Sequence, residues 1–161
     1  MSDLNPAAAA YAKKLRVRAC GICIKENKLL LMRHSNTIGN NAFWAPPGGG
    51  LQYGETIHDC LRREFEEETG LQVEVNRFLF VNEFLQEPLH AVEFFFEVNP
   101  VGGEMTTGSD PEAEDGNQLI EHLQWLSVKE IQAIPFGDKH RSLQLLLSLD
   151  DLLGLPHNFM P

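Results

Sequence analysis

Apolar and polar residues alternate along Arg16–Lys25, which carries Val17, Ile22 and Ile24, and this period of two predicts a β-strand. Glu26-Asn27-Lys28 is turn material, and Leu29–Arg33 is a second short apolar run, so the two predict a hairpin. Ser35–Asn41 is polar and reads as a loop. Phe43 and Trp44 then lead into Pro46-Pro47-Gly48-Gly49-Gly50, where successive prolines and glycines cannot continue a helix or a central strand. The clearest helix is Thr56–Glu68. Thr56 is its predicted N-cap, Asp59 the acidic partner in a variant capping box, and Gly70 the glycine that ends it. Strands are predicted at Leu71–Val75, Phe78–Phe84 and Ala91–Val98. The last places Val92, Phe94, Phe96 and Val98 on one face and Glu93, Phe95 and Glu97 on the other. After a long acidic loop, Gly102–Gln118, the pattern predicts a strand at His122–Leu126, a helical turn at Val128–Ala133 and an amphipathic helix at Asp138–Leu149. Strands and helices in mixed alternation predict an α/β sandwich.

The Thr56–Glu68 helix has an unusual face. Ile57, Leu61, Glu64 and Glu68 form one continuous stripe that begins apolar and ends as carboxylate. Glu67 stands beside Glu64 at i+3, Cys60 and Phe65 flank the stripe, and Glu66 points away. Like charges one turn apart repel, and partial burial makes the repulsion worse. Arg62 and Arg63 are near, but neither is expected squarely on the stripe. A hard divalent cation with oxygen ligands meets the requirement directly. The alternative is a solvated acidic helix end, which is what a bare run such as Glu66-Glu67-Glu68 ordinarily is.

Composition narrows the function classes. The 161 residues suit one domain, read as a short extension over residues 1–14, helical around Ala7–Lys14 or frayed, followed by a single domain over 15–161. Hydrophobic residues at 43% and charged residues at 22% describe a soluble globular chain. The formal charge of −10 repels polyanions and argues against a nucleic-acid polymer as partner. No apolar stretch approaches the ~20 residues that span a membrane, and the N-terminal residues do not read as a secretion signal. Three cysteines without a spaced framework point to a reduced, cytoplasmic setting. Cys20 and Cys23 lie three apart on a strand, so their thiols should diverge, and Cys60 reads as core filler. His34, His58 and His140 show no ligand spacing and receive no role. Leu143, Leu146, Leu147 and Leu149 form an apolar helix side, read first as core packing and second as a homodimer contact.

One pattern is more specific than any of these. Gly49 is followed after five residues by Glu55, after seven more by Arg63-Glu64-Phe65-Glu66-Glu67-Glu68, and then by Thr69-Gly70-Leu71. All nine defined positions of residues 49–71 match, so this segment resembles the Nudix box, with Phe65 and Leu71 in its two apolar positions. Trp44, Pro47-Gly48-Gly49 and the closing Trp125-Leu126 strand are also similar to that family. The resemblance implies a Nudix-type α/β/α sandwich around a mixed sheet. It implies Mg²⁺- or Mn²⁺-dependent hydrolysis of a small-molecule nucleotide, a nucleoside diphosphate linked to another group. The Gly49 carbonyl, Glu64, Glu67 and Glu68 become the expected metal positions, with Glu64 a ligand, a base or both, and Glu55 and Arg63 as supports. Members often recruit an acid from outside the box. Glu114 is the chosen candidate, with Glu112, Asp115, Glu83, Glu87 and Glu93 as alternatives. Arg33, at the end of the second strand, is a candidate phosphate contact or a surface charge. Pro88, seventeen residues beyond Leu71, tilts the expected substrate slightly toward a nucleotide sugar such as ADP-ribose. A nucleoside triphosphate cleaved to pyrophosphate, or a nucleotide-sensing module without turnover, are the rival readings.

Overall fold

A computed structural model of the chain describes residues 9–34, 42–106, 120–154 and 159–160. The predicted hairpin forms from β1 (Leu15–Lys25) and β2 (Lys28–His34), with Glu26 and Asn27 at positive φ in the tight turn between them. Then come β3 (Phe43–Ala45), β4 (Gly48–Gly50), helix α1 (Ile57–Thr69), β5 (Leu71–Gln86), β6 (Leu89–Gly103) and β7 (Ile120–Leu126). Helix α2 (Val128–Ala133), a 3₁₀ turn (Phe136–Asp138), α3 (Arg141–Gln144), α4 (Asp150–Leu153) and β8 (Phe159–Met160) complete the described elements.

Among the described residues the strands make one mixed sheet, ordered β3-β2-β1-β6-β5-β8, with β4 added to β1 and β7 to β2. The β1–β6 pairing is parallel, and β5–β6 antiparallel. Alternation along the strands sends side chains to two cores. Ala19, Cys23, Leu30, Met32, Phe96 and Val98 face α1, where Cys60, Leu61 and Phe65 meet them. Cys20, Ile22, Leu29, Leu31 and Phe95 face the other layer, where Ile131, Leu143, Leu146, Leu149 and Leu152 cover them. The result is the expected α/β sandwich. Cys20 and Cys23 do diverge, one into each core.

Three expectations need correction. The runs Leu71–Val75 and Phe78–Phe84 are one strand, β5, whose register shifts between Val75 and Phe80. The irregularity moves Leu79 and Phe80 into the second core, while Leu71, Val73 and Val75 serve the first. Gly48–Gly50 is not a plain loop but a short strand paired with Arg18–Cys20 of β1. Glycine permits it, because a Cβ at Gly48 would overlap the Ala19 carbonyl. The helix expected over Asp138–Leu149 is broken into the 3₁₀ turn and α3. The Asp151 carboxylate accepts the Leu147 and Ser148 N–H groups at 3.0 and 2.8 Å, which fixes a turn where a helix would have run. Leu147 consequently leaves the apolar side and stands 81% exposed, whereas Leu143, Leu146 and Leu149 are buried. In the N-terminal segment, read as helical or frayed, the described residues 10–13 form turns. No helix among the described residues is long and apolar enough to cross a membrane.

Candidate active site

Helix α1 gathers the acids. Thr56 caps it as expected: its hydroxyl oxygen accepts the Asp59 N–H at 3.1 Å and donates its own proton to Asp59 Oδ2 at 2.6 Å. Gly70 ends the helix at φ 74°, a left-handed torsion that glycine adopts without strain. Phe65 is fully buried between these caps, and burial of such a ring contributes about 1.5–3 kcal/mol. That anchoring fixes the rotation of the helix. Glu64 and Glu68 follow the same face and are each only 6% exposed, while Glu67 is half-buried and Glu66 faces solvent.

The glycine strand β4 receives both buried carboxylates. The Gly48 N–H donates to Glu68 Oε2 at 2.9 Å. Gly49 is held to glycine by space rather than torsion, because a Cβ there would overlap the Glu64 carboxylate. The Gly49 carbonyl accepts the Cys60 thiol at 3.8 Å. Burial first, then the Glu55 and Glu64 charges, pushes that thiol up to about 12, so Cys60 stays neutral core material.

Arg63, expected beside the acidic stripe and as a support of its carboxylates, reaches several of them at once. Its guanidinium turns back and donates to Glu55 Oε1 and Oε2 at 2.7 and 3.0 Å, to Glu64 Oε1 at 2.8 Å and to Glu67 Oε2 at 3.1 Å. It also donates to the Gly50 carbonyl at 3.1 Å, tying the helix to β4. The hydrogen bonds from Arg63 hold the Glu55 carboxyl below its ordinary range. Arg62, in contrast, pairs with Asp59 on the exposed side. Gly49, Glu55, Arg63, Glu64, Glu67 and Glu68 are thus one connected group. Among the described residues no three His, Cys, Asp or Glu side chains stand together as a ready-made metal cage. The donor set nonetheless suits a hard cation, since carboxylate and carbonyl oxygens are the ligands Mg²⁺ and Mn²⁺ prefer.

The other candidates are not so gathered. Arg33 is half-buried in β2, opposite Trp44 of β3 and His122 of β7. Glu114, with Glu112 and Asp115, lies outside the described residues. Glu83 pairs with His90 at 2.9 Å. Glu93, named only as an alternative, is 3% exposed and lies at the centre of a buried polar group. It accepts from Arg18 at 2.9 Å, from Asn82 at 2.9 Å and from His140 at 2.8 Å. Burial alone would raise its carboxyl, but the hydrogen bonds from His140 and Asn82 and the charge of Arg18 outweigh it and hold the group down to about 2. Arg18, Asn82 and His140 were not anticipated. The available signal was a charged residue, Arg18, on the face of β1 that also carries buried Cys20 and Ile22, since a charge at an inward position requires a partner.

A family model described as the NUDIX domain matches residues 14–146. An ADP-ribose pyrophosphatase of Methanocaldococcus jannaschii is 38% identical over 92 residues, 56% of this chain and 54% of that protein, so the match spans about half of the relative's length. An uncharacterised Nudix hydrolase of Bacillus subtilis is 30% identical over 128 residues, 78% of this chain and 75% of its own. A solved NUDIX hydrolase from Nitrosomonas europaea superposes with a TM-score of 0.63 at 23% identity, covering 74% of this chain and 77% of the other, a likeness of fold.

Proposed function

Since the chain belongs to the Nudix family, we propose that it is a divalent-metal-dependent hydrolase of the pyrophosphate linkage in a nucleoside diphosphate joined to a second group, and that this substrate is a nucleotide sugar of the ADP-ribose type. The observation that carries the reading is the pair of buried carboxylates, Glu64 and Glu68, set against a glycine strand, with the Arg63 guanidinium on Glu64. Acids buried in this way are costly unless paired, hydrogen-bonded or bound to a metal, and anionic pyrophosphate could not approach them unaided. The relative named an ADP-ribose pyrophosphatase supports the choice of substrate.

Glu64, Glu67, Glu68 and the Gly49 carbonyl would hold Mg²⁺ or Mn²⁺, which when bound neutralises phosphate oxygens and acidifies water. Glu64 accepts a proton from the attacking water; the Arg63 guanidinium orients that carboxylate while lowering its proton affinity. Glu55 and Arg63 keep the helix docked on β4. The buried floor beneath the acids, Cys60, Leu61 and Phe65, excludes water from their far side.

Product chromatography over a nucleotide panel with Mg²⁺ tests the reading. AMP and ribose 5-phosphate from ADP-ribose are expected. Nucleoside monophosphate with pyrophosphate from triphosphates alone would move the substrate to the triphosphate class. Nucleotide binding without any product would overturn the enzyme reading.

A further inference from the structure

The described residues contain a buried polar group that the proposed chemistry does not use, and it ends on the residue that holds Glu68. Arg18 and Glu93 are register partners in the parallel β1–β6 pair, so their side chains meet side by side. One Arg18 nitrogen, Nη1, donates to Glu93 Oε1 at 2.9 Å, and the other, Nη2, donates to the Gly48 carbonyl at 3.0 Å. The N–H of the same glycine donates to Glu68 Oε2. Gly48 is therefore gripped from two directions, by a guanidinium at its carbonyl and by a candidate metal ligand at its amide.

Behind Arg18 the grip continues. Glu93 Oε2 accepts from Asn82 Nδ2 at 2.9 Å and from His140 Nε2 at 2.8 Å. The His140 Nδ1 accepts the Ser142 N–H at 3.1 Å, which places the ring proton on Nε2, facing Glu93. The His140 N–H in turn donates to the Trp44 carbonyl at 2.8 Å, just before β4. The segment around His140 is thus tied to the β3–β4 run at Trp44 directly and at Gly48 through Glu93 and Arg18.

We propose that Arg18 is a positioning residue for the metal site, with Glu93, Asn82 and His140 as its buried backing, and that it sets where Glu68 and the adjoining Gly49 carbonyl stand. Two physical points favour this over a pair that only stabilises the core. A buried ion pair gains little net stability over an apolar pair of the same size. The pair also has an outward connection, and that connection reaches β4, a three-residue strand of glycines with no side chains to pack it in register. Arg18 adds a hold at Gly48 to the backbone pairing with β1 and to the Arg63 contact at Gly50. The planar fork is essential, because a single ammonium cannot serve Glu93 and the Gly48 carbonyl in the same geometry.

The inference rests on the proposed function, and the test separates the two. Mn²⁺ binding without nucleotide is read from the electron paramagnetic resonance signal of the free ion, alongside kcat and KM, in wild type, Arg18→Lys and Glu93→Gln. Supporting groups behind metal ligands typically carry about 10–100-fold in affinity or activity. Arg18→Lys should therefore weaken Mn²⁺ binding about tenfold and lower kcat by a similar factor, with substrate KM within about twofold and the circular dichroism spectrum unchanged. Glu93→Gln keeps an acceptor for Arg18 but loses its charge and turns an amide NH2 toward the Asn82 and His140 donors, so it too should lose about tenfold, and this variant carries the test if Arg18→Lys does not fold. Wild-type Mn²⁺ affinity and kcat in the folded variants overturn the inference while leaving the function standing. A rise in KM alone also overturns it, because Arg18 would then touch substrate. A wild-type protein that neither binds Mn²⁺ nor hydrolyses any nucleotide overturns the function, and the inference with it.

Discussion

Replacement of Arg63 by methionine separates what the acidic cluster costs from what it is for. In the folded protein Arg63 serves Glu55, Glu64 and Glu67 at once, and the side chains of Glu55 and Glu64 are only 15% and 8% exposed. Methionine keeps the hydrocarbon stem and leaves those carboxylates without their cation. Removing one partner of a buried pair costs about 3–5 kcal/mol, and the partial exposure of Arg63 and Glu67, 24% and 31%, puts this case near the bottom of that range, about 3 kcal/mol. With a urea slope of about 2 kcal/mol per molar, the unfolding midpoint should fall by about 1.5 M in metal-free buffer. Saturating Mg²⁺ then acts in the opposite direction. A ligand at roughly 100 times its Kd adds about 2.7 kcal/mol to the folded state. The variant should gain more than wild type does, because in wild type Arg63 already neutralises Glu64 and Glu67. Paired urea titrations with EDTA and with Mg²⁺ measure both effects. An unchanged metal-free midpoint, or a larger Mg²⁺ gain in wild type than in the variant, would refute the reasoning.

Three further outcomes are expected. Gly49→Ala drives a methyl into the Glu64 carboxylate, and displacing a reacting group by about 1 Å can cost about a hundredfold in rate, so kcat should fall by that order while circular dichroism stays native. Glu93 titrates near 2 in the fold against an ordinary value of 4.5, so its stabilising contribution is full above pH 4.5 and is lost as pH falls toward 2; urea midpoints of wild type and Glu93→Gln should converge over that window. Leu143→Ala should cost about 2–5 kcal/mol in urea unfolding and Leu147→Ala less than about 0.5, since the first side chain is buried and the second faces solvent.

The acid cluster was legible in the sequence because helical spacing alone decides which residues share a face. Glu64 and Glu68 had to follow Leu61 into the core side of α1 once Thr56 and Gly70 set the helix ends. The divergent Cys20 and Cys23 were legible for the same reason, from strand alternation. What stayed hidden depends on pairings between distant segments. Arg18 finds Glu93 across 75 positions, through a parallel register that no local pattern encodes. His140 joins them only because the chain after α2 folds back toward β3. The helix expected over Asp138–Leu149 failed because leucines at 143, 146 and 149 can be buried from a short helix and a turn as well as from one long helix. Position on a helical wheel puts Arg63 off the stripe because it does not register a long side chain that bends back along the helix, whereas the family resemblance already gives Arg63 as a support.

The central claim is that Glu64, buried against Gly49 and braced by Arg63, does proton work in a metal-dependent cleavage of pyrophosphate. The most direct measurement is the rate of AMP release from ADP-ribose in Mg²⁺ by wild type and by Glu64→Gln, with circular dichroism confirming that both are folded. The account predicts Mg²⁺-dependent turnover by wild type, abolished by EDTA, and a loss of about 10²–10⁴-fold in the variant, the range that positioned acid–base groups supply. A folded Glu64→Gln protein that works at nearly the wild-type rate would contradict it.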